Sequence, residues 1–415
     1  MVPVMQKRQA SLGFIFITLF LDIMGLGLVI PVLPKLIESF LNDDIARAST
    51  IYGVLVALYA LMQFLFAPVL GNLSDRYGRR PVILLSLLGA GLDYLLLAFA
   101  PTLGWLFVGR VIAGVTAANL TTVTAYIADI SPPEKRAQNF GLIGAAFGLG
   151  FILGPVLGGL LGNIDLRLPF FVVAGITLLN TLYGYFVLPE SLKPENRRAF
   201  SWARANPVGS LVALQHYPTV INMAVITVLV GLASNFLHSI WVLYSQYRFA
   251  WGPSEVGWSL AVVGLVAAIV QGGLIGPVVR KLGEPLALTI GLGISAISYL
   301  LYGLATQGWM FYVIPIFSAI GFIAGPSAQA LISRGVKDDE QGAVQGAIAS
   351  LTSLTGVVGP LVATNVFRLF ISEQTPVRLP GAPFYLGSLL FLIALAVAVR
   401  AFAQTPVVGA ATSGD

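Results

Sequence analysis

The chain has no cysteine and only two histidines in 415 residues. No disulfide framework, thiolate metal site or thiol chemistry can be built from it, and cysteine usage says nothing of the redox compartment. Charge is scarce as well. Asp, Glu, Lys and Arg make up 10% of the residues, against roughly a quarter in an ordinary soluble domain. Apolar side chains fill the gap: 57% of the chain is hydrophobic and the mean hydropathy is +0.87. A water-soluble sphere of this length cannot hide so much apolar surface, so most of it must face lipid. A soluble enzyme, a nucleic-acid binder and a disordered tail are excluded. The net charge of +5 is dispersed among short loops and forms no patch for nucleic acid. The chain also lacks G-x-x-x-x-G-K-[ST], H-E-x-x-H and a partnered G-x-S-x-G, so neither a nucleotide-driven pump nor a membrane enzyme is indicated.

A helix needs about 20 apolar residues to cross a ~30 Å hydrocarbon core. Apolar runs between polar or Pro/Gly breaks predict twelve crossings, at 12–34, 51–71, 81–100, 103–127, 138–162, 168–188, 218–247, 255–279, 286–306, 308–333, 341–370 and 383–403. The first is too long for a cleaved signal peptide, and it holds Asp22, Pro31 and Pro34. Of the 23 Lys and Arg, 16 fall to one side and 6 to the other, with Arg110 left inside a span. By the positive-inside bias, both termini are expected in the cytoplasm. The longest interior interruption, 189–217, reads as a cytoplasmic linker between six-span halves at 1–188 and 218–415.

The halves repeat at an offset of 205 residues. Gly71, Gly78, Gly141, Gly154 and Pro155 fall on Gly276, Gly283, Gly346, Gly359 and Pro360. Two like-oriented six-helix halves form an all-α architecture used by secondary transporters, with the solute site near the midplane between them.

The loop after the second span runs Gly71-Asn72-Leu73-Ser74-Asp75-Arg76-Tyr77-Gly78-Arg79-Arg80-Pro81. It resembles the signature loop of the major facilitator superfamily, G-x-L-[AS]-D-[RK]-x-G-R-[RK]. Glycines are expected to turn the chain tightly there, and Arg76, Arg79 and Arg80 to hold it at the anionic leaflet. Asp75 is expected to accept hydrogen bonds from a neighbouring helix N-terminus and so fix one conformational state. The second-half copy is degenerate, with Arg280 in place of Asp75 and Glu284 in place of Arg79. Gly148 to Gly159 in span five, carrying Gly150, Gly154, Pro155, Gly158 and Gly159, is similar to the antiporter motif of proton-coupled drug exporters. Its small residues allow close helix approach, and its proline marks a bend where the halves rock. Leu21 to Pro34, Leu92 to Ala98, Trp241 to Tyr244 and Arg248 to Trp251 resemble the twelve-span tetracycline-resistance exporters.

Ionisable groups in hydrocarbon are costly and mark function. Asp22, Asp93 and Arg110 are the three clearly placed there. Asp22, near the middle of span one, reads as a carboxylate that exchanges a proton in competition with solute; the alternative is a permanently paired structural acid. Asp93 and Arg110 lie eight residues before and nine after Pro101, hence at matching depth on two arms of one hairpin. A structural ion pair between them is one reading. The other follows from Gly109-Arg110-Val111-Ile112-Ala113-Gly114, similar to the superfamily's span-four motif, whose arginine is implicated in proton transfer; Arg110 would then serve Asp22. The resemblance further implies that spans one, four, seven and ten line the cavity. That favours Asn119, Asn235, His238 and Gln329 as solute contacts, while Gln63 and Gln271 match glutamines of the tetracycline exporters. His238 is a second candidate proton site.

Those exporters usually carry an aspartate in span nine and a histidine in span eight, where this chain has Ser295 and Ala267. The function implied is proton-coupled efflux of drugs, tetracycline-like or broader. Proton symport of a small organic solute, or a non-pumping lipid- or sterol-handling role, remain the alternatives. No cofactor or resident metal is expected, although the substrate can arrive as a metal chelate. By the same resemblance the partners are the drug, protons and membrane lipids, the protein is a monomer, and its membrane is a bacterial inner membrane.

Overall fold

The computed structural model describes residues 4–201, 218–336, 341–373 and 375–404. Most of the linker expected at 189–217 therefore lies outside the described residues. Among the described residues, twelve helices are long and apolar enough to cross a membrane: α1 (Leu12–Val29), α2 (Ile45–Tyr77), α3 (Arg79–Phe99), α4 (Leu103–Ile130), α5 (Asn139–Ile164), α6 (Leu168–Val187), α7 (Val220–Phe249), α8 (Pro253–Leu282), α9 (Glu284–Leu304), α10 (Met310–Arg334), α11 (Val344–Ile371) and α12 (Ala382–Ala403). The protein is a multi-pass, all-helical membrane protein.

Several boundaries differ from the hydropathy reading because local bonding, not apolarity, sets helix ends. Asp44 caps α2 by accepting from the Arg47 amide at 2.9 Å, so this helix starts six residues before its apolar run. It then continues through Gly71 to Tyr77, and only Gly78 breaks the chain before α3. The loop expected over Gly71–Pro81 is thus mostly helix, with one residue at the turn. Gly78 has φ +106° and its repeat counterpart Gly283 has φ +76°, a region where side chains are strained. After α1 the chain re-enters a short helix, Leu33–Ser39, whose second residue is Pro34.

The 205-residue repeat reaches into the irregular turns. Helix α4 breaks at Ala118–Asn119, and α10 passes through a 3-10 turn at Ala319–Ile323, the corresponding depth. Helix α2 carries Pro68 inside, whereas α8 widens into a π turn at Val270–Leu274 around the equivalent position. Each interrupts the i→i−4 ladder, one by a missing donor and the other by an extra residue.

Core packing differs between the two ends of the bundle. At the end away from the Arg79–Arg80 turn, one apolar core joins both halves: Val32, Leu36 and Tyr52 pack in the same cluster as Trp241, Tyr244 and Phe367. At the other end the halves keep separate cores, one around Phe14, Ile83 and Tyr126, the other around Leu288, Ile332 and Val344. The glycines report the same asymmetry. A Cβ added at Gly141, Gly144, Gly148, Gly272, Gly273 or Gly276 would meet nothing within 4 Å, so α5 and α8 are splayed there. Among the described residues, the bundle is closed at one end and open at the end bearing the Arg79–Arg80 turn.

Candidate functional site

Two cavities sit between the closed and open ends. The larger, about 550 Å³, lies between the halves and is lined by Tyr52 and Tyr59 of α2, Arg110 of α4, Asn235, His238 and Trp241 of α7, and Ser295, Tyr299 and Tyr302 of α9. Among the described residues no carboxylate lines it, and its wall is largely aliphatic and aromatic, with serine and tyrosine hydroxyls interspersed. This volume falls in the range that encloses a drug-sized molecule. The smaller, about 400 Å³, belongs to the first half and is lined by Asp22, Gln63, Asp93, Arg110 and Asn119. Leu26, Val29, Tyr59 and Arg110 line both cavities, forming the partition between them.

Five of the nine polar and charged candidates taken from the spans therefore converge on the small cavity, although they come from four helices. The break in α4 explains Asn119: its amide is turned toward α1 and donates to Asp22 Oδ2 at 3.5 Å. Gln63 donates to the Ala117 carbonyl freed at the same break, also at 3.5 Å. Asp93 is 2% exposed and Arg110 6% exposed, yet among the described residues they form no ion pair, and Arg110 forms none with Asp22 either. Asp93 Oδ1 and Arg110 Nε are buried without a hydrogen-bond partner. The Arg110 guanidinium instead lies 6.0 Å from the centre of the Tyr59 ring. Gly109 makes room for the acid, since a Cβ there would stand 2.8 Å from Asp93 Oδ1.

Asn235 and His238 face the large cavity. Asn235 spends its amide hydrogens on the Gly231 carbonyl at 2.8 Å and Thr355 Oγ1 at 3.2 Å, which leaves its oxygen for a ligand. Ser295 lines the same wall. Gln271 and Gln329 lie in neither cavity. Gln271 is exposed on the π turn of α8, and Gln329 is exposed and bonded to Gln345 Oε1 at 2.5 Å across to α11. Gln329 thus turns toward α11, and membership of a cavity-lining helix does not fix which face a side chain uses.

The signature turn is held differently from the expectation. Asp75 accepts from Arg79 Nη1 at 2.5 Å and, among the described residues, not from a helix N-terminus. The N-terminus of α3 is capped by Glu190, which accepts from the Arg79 and Arg80 amides at 2.8 and 3.2 Å. A Cβ at Gly78 would collide with that carboxylate. Arg79 also reaches Asp129 Oδ2 at 3.3 Å and Ser74 Oγ at 2.6 Å, while Arg80 donates to the Tyr185 carbonyl at 2.6 Å. Arg76 is exposed and stacks on Tyr77. Glu190 and Asp129, 111 and 50 residues from Arg79, were invisible to a reading of the loop alone. The one local signal is a carboxylate directly after the Leu188-Pro189 end of α6.

Span-five glycines seat α5 on two neighbours. A Cβ at Gly154 would stand 2.6 Å from the Met24 carbonyl oxygen and 2.9 Å from Gly27 Cα, and one at Gly150 would stand 2.9 Å from the Met24 amide. Gly158 abuts the Leu28 carbonyl, and Gly159 abuts the Pro253 carbonyl of α8. Gly257 of α8, not singled out from the sequence, rests on the Pro155 carbonyl. The motif thus joins the halves at the closed end.

A twelve-helix bundle with paired halves, a polar cluster in its first half and a drug-sized cavity between halves matches one family description, Major Facilitator Superfamily, over residues 15–360 and 223–414. The chain belongs to the major facilitator superfamily. Among its superfamily relatives, tetracycline resistance protein, class C, of Escherichia coli is 43% identical over 389 residues, covering 94% of this chain and 96% of that protein. Tetracycline resistance protein, class D, of Salmonella ordonez is 38% identical over 387 residues, covering 93% and 96%. A bacterial homolog of the human lysosomal transporter Spinster, solved inward-facing and unoccupied, superposes with a TM-score of 0.78 at 18% identity, covering 96% of this chain and 99% of that one. That likeness shows the fold alone. As a member of this superfamily, the protein is a transporter and not an enzyme.

Proposed function

We propose that the protein exports drugs, tetracycline-like or of a broader range, across a cytoplasmic membrane in exchange for protons. The observation that carries this reading is the pair of adjoining cavities: a drug-sized space between the halves shares the Tyr59–Arg110 wall with a space holding Asp22 and Asp93. Drug occupies the large cavity, Asp22 exchanges the proton, and Asp93 and Arg110 tune that exchange from the same wall. Halves 1–188 and 218–415 rock as units joined by the linker 189–217. Gly150, Gly154, Pro155, Gly158 and Gly159 form the bearing at the closed end, and the turn Gly71–Arg80 acts as the switch at the open end. The relatives named tetracycline resistance proteins support the drug class. The Lys/Arg bias supports cytoplasmic termini, so the open end of this structure faces the cytoplasm, and a monomer suffices.

Everted membrane vesicles containing the chain test this directly. With an inside-acid gradient they are expected to accumulate tetracycline, and a protonophore should abolish the accumulation. Drug movement in the same direction as the protons would establish symport instead.

A further inference from the structure

The two halves give the large cavity walls of different chemistry. The first half contributes the aliphatic side chains of Leu26, Val29, Ile30, Leu33 and Val56, together with Phe151, two phenols and Arg110. Every serine, amide and imidazole on the lining comes from the second half, among them Asn235 and His238 of α7, Ser295 and Ser298 of α9 and Ser318 of α10. Some of these groups are already engaged. Ser298 donates to the Ile294 carbonyl at 2.7 Å, and Ser318 to the Pro315 carbonyl at 3.1 Å. Two are free. Asn235 Oδ1 accepts nothing, because the hydrogens of that amide serve Gly231 and Thr355. The Ser295 hydroxyl makes no hydrogen bond among the described residues and is half-buried in the wall. The 3-10 turn of α10 leaves room for it, since a Cβ at Gly321 would collide with Ser295 Oγ. A free acceptor and a free hydroxyl on one wall of an apolar space are offered to oxygen and hydroxyl groups of a ligand.

Charge on this lining has one sign. Among the described residues no carboxylate lies on it, and Arg110 is its one permanently charged side chain. Arg110 is 6% exposed, its Nε has no partner, and it forms no ion pair among the described residues. Its charge therefore opposes any cation brought against the wall, and like charges juxtaposed in a binding site are costly. A divalent ion such as magnesium is held by carboxylate and carbonyl oxygens, and among the described residues no three His, Cys, Asp or Glu side chains converge. Trp241, Tyr299 and Tyr302 supply faces for a ring system. What suits the whole cavity is a two-edged ring compound, apolar along one edge and oxygen-bearing along the other.

We infer that the large cavity takes a polycyclic drug in a metal-free form without net positive charge, its apolar edge against the first half and its oxygenated edge hydrogen-bonded to Asn235 and Ser295. This rests on the drug-transport reading and names the form of the cargo within it. A drug that reaches the protein as a metal chelate releases its ion to water before it is bound. Asn235 and Ser295 are then specificity-determining residues: they select ring compounds that carry oxygen on one edge from those that carry none.

The test uses the full chain in nanodiscs and two probes: tritiated tetracycline, which has one oxygen-rich edge and chelates magnesium, and 1-aminoanthracene, an oxygen-free tricyclic ring. Equilibrium dialysis reads the first, free of optical effects of the metal, and fluorescence reads the second. Tetracycline is expected to bind in EDTA, and millimolar magnesium should weaken it about tenfold or more while leaving 1-aminoanthracene unchanged. Tetracycline binding that requires magnesium, that is equal in the two buffers or that is absent from both overturns the proposal. Ser295→Ala and Asn235→Ala should each weaken metal-free tetracycline about three- to tenfold and leave 1-aminoanthracene unchanged, which reports an intact cavity. Undiminished tetracycline binding in both variants removes these residues from the site and overturns the proposal as well. Should a variant lose both probes, the magnesium comparison in the unsubstituted protein decides. Metal-free binding without gradient-driven accumulation sinks the export reading and leaves this inference standing; accumulation with magnesium-dependent binding does the reverse.

Discussion

Arg79 and Glu284 stand at the same position of the two repeats, carry opposite charges and make the same bridge. Arg79 Nε meets Asp129 Oδ2 at 3.3 Å, and Glu284 Oε1 meets Arg334 Nη2 at 2.6 Å. Asp129 and Arg334 are themselves 205 residues apart. The fold needs the first turn of α3 and of α9 tied to the far end of the next helix, and either polarity does it. The residues on the first turns are alike in depth, Arg79 being 10% and Glu284 16% exposed, but their partners differ, Asp129 being 24% and Arg334 70% exposed.

Reversal at these positions should therefore be unequal. Arg79→Glu buries an acid beside Asp75 and Asp129 and is expected to reduce transport at least tenfold, a loss of ~3–5 kcal/mol in the bridge. Adding Asp129→Arg should recover part of it. Arg334→Ala removes an exposed pair worth ~0–1 kcal/mol and should leave transport within about twofold. Initial rates in everted vesicles, normalised to inserted protein, check all three.

Asp22→Asn is expected to abolish gradient-driven accumulation while the protein still inserts and binds drug. Asn119→Ala removes the hydrogen bond that holds Asp22 in this conformation and should weaken coupling without eliminating it, an effect of ~1–3 kcal/mol. The measurement is drug accumulation against an imposed pH gradient. Undiminished coupling in Asp22→Asn would move the proton site to Asp93.

Close packing at the closed end predicts a divide among the glycines of α5 and α8. Gly154→Ala and Gly257→Ala force backbone apart and should cost ~1–3 kcal/mol of stability each, with transport lost. Gly141→Ala, with nothing within 4 Å of the new methyl, should leave the melting temperature unchanged. Thermal unfolding in detergent measures the first part and vesicle transport the second.

Glu38 lies outside the spans, in the helix Leu33–Ser39 at the closed end, where one carboxylate oxygen is buried without a partner. Burial pushes its pKa up to about 7, with Lys35 pulling it down and Asp43 pushing it up. The folded protein thus holds a proton that the unfolded chain releases at lower pH, so stability falls as pH rises through about 7. Melting temperature should decline between pH 5 and pH 8, and Glu38→Gln should flatten that slope.

Much of the architecture was legible because the bilayer demands long apolar helices and the repeat leaves its glycines at one offset. Asp22, Asp93 and Arg110 announced themselves by being charged within apolar runs. What stayed hidden depended on facing and on distance along the chain. Glu190 looked like an ordinary loop acid, and nothing near Arg79 pointed to it. Tyr59 gave no signal at all, since a tyrosine on a lipid-crossing helix is commonplace. Gln329 was expected as a solute contact from its place in span ten and Gln271 from its match to exporter glutamines, and neither lines either of the two cavities described.

By itself the sequence determined that the chain crosses a membrane twelve times in two repeated halves, because burying apolar length and sparing charge are properties of composition and order. Which acid the Asn119 amide reaches, which helix end Glu190 caps and which end of the bundle is closed were decided only in three dimensions. Those outcomes turn on helix rotation, on breaks a residue or two long and on contacts across more than a hundred positions, none of which changes the hydropathy of the chain.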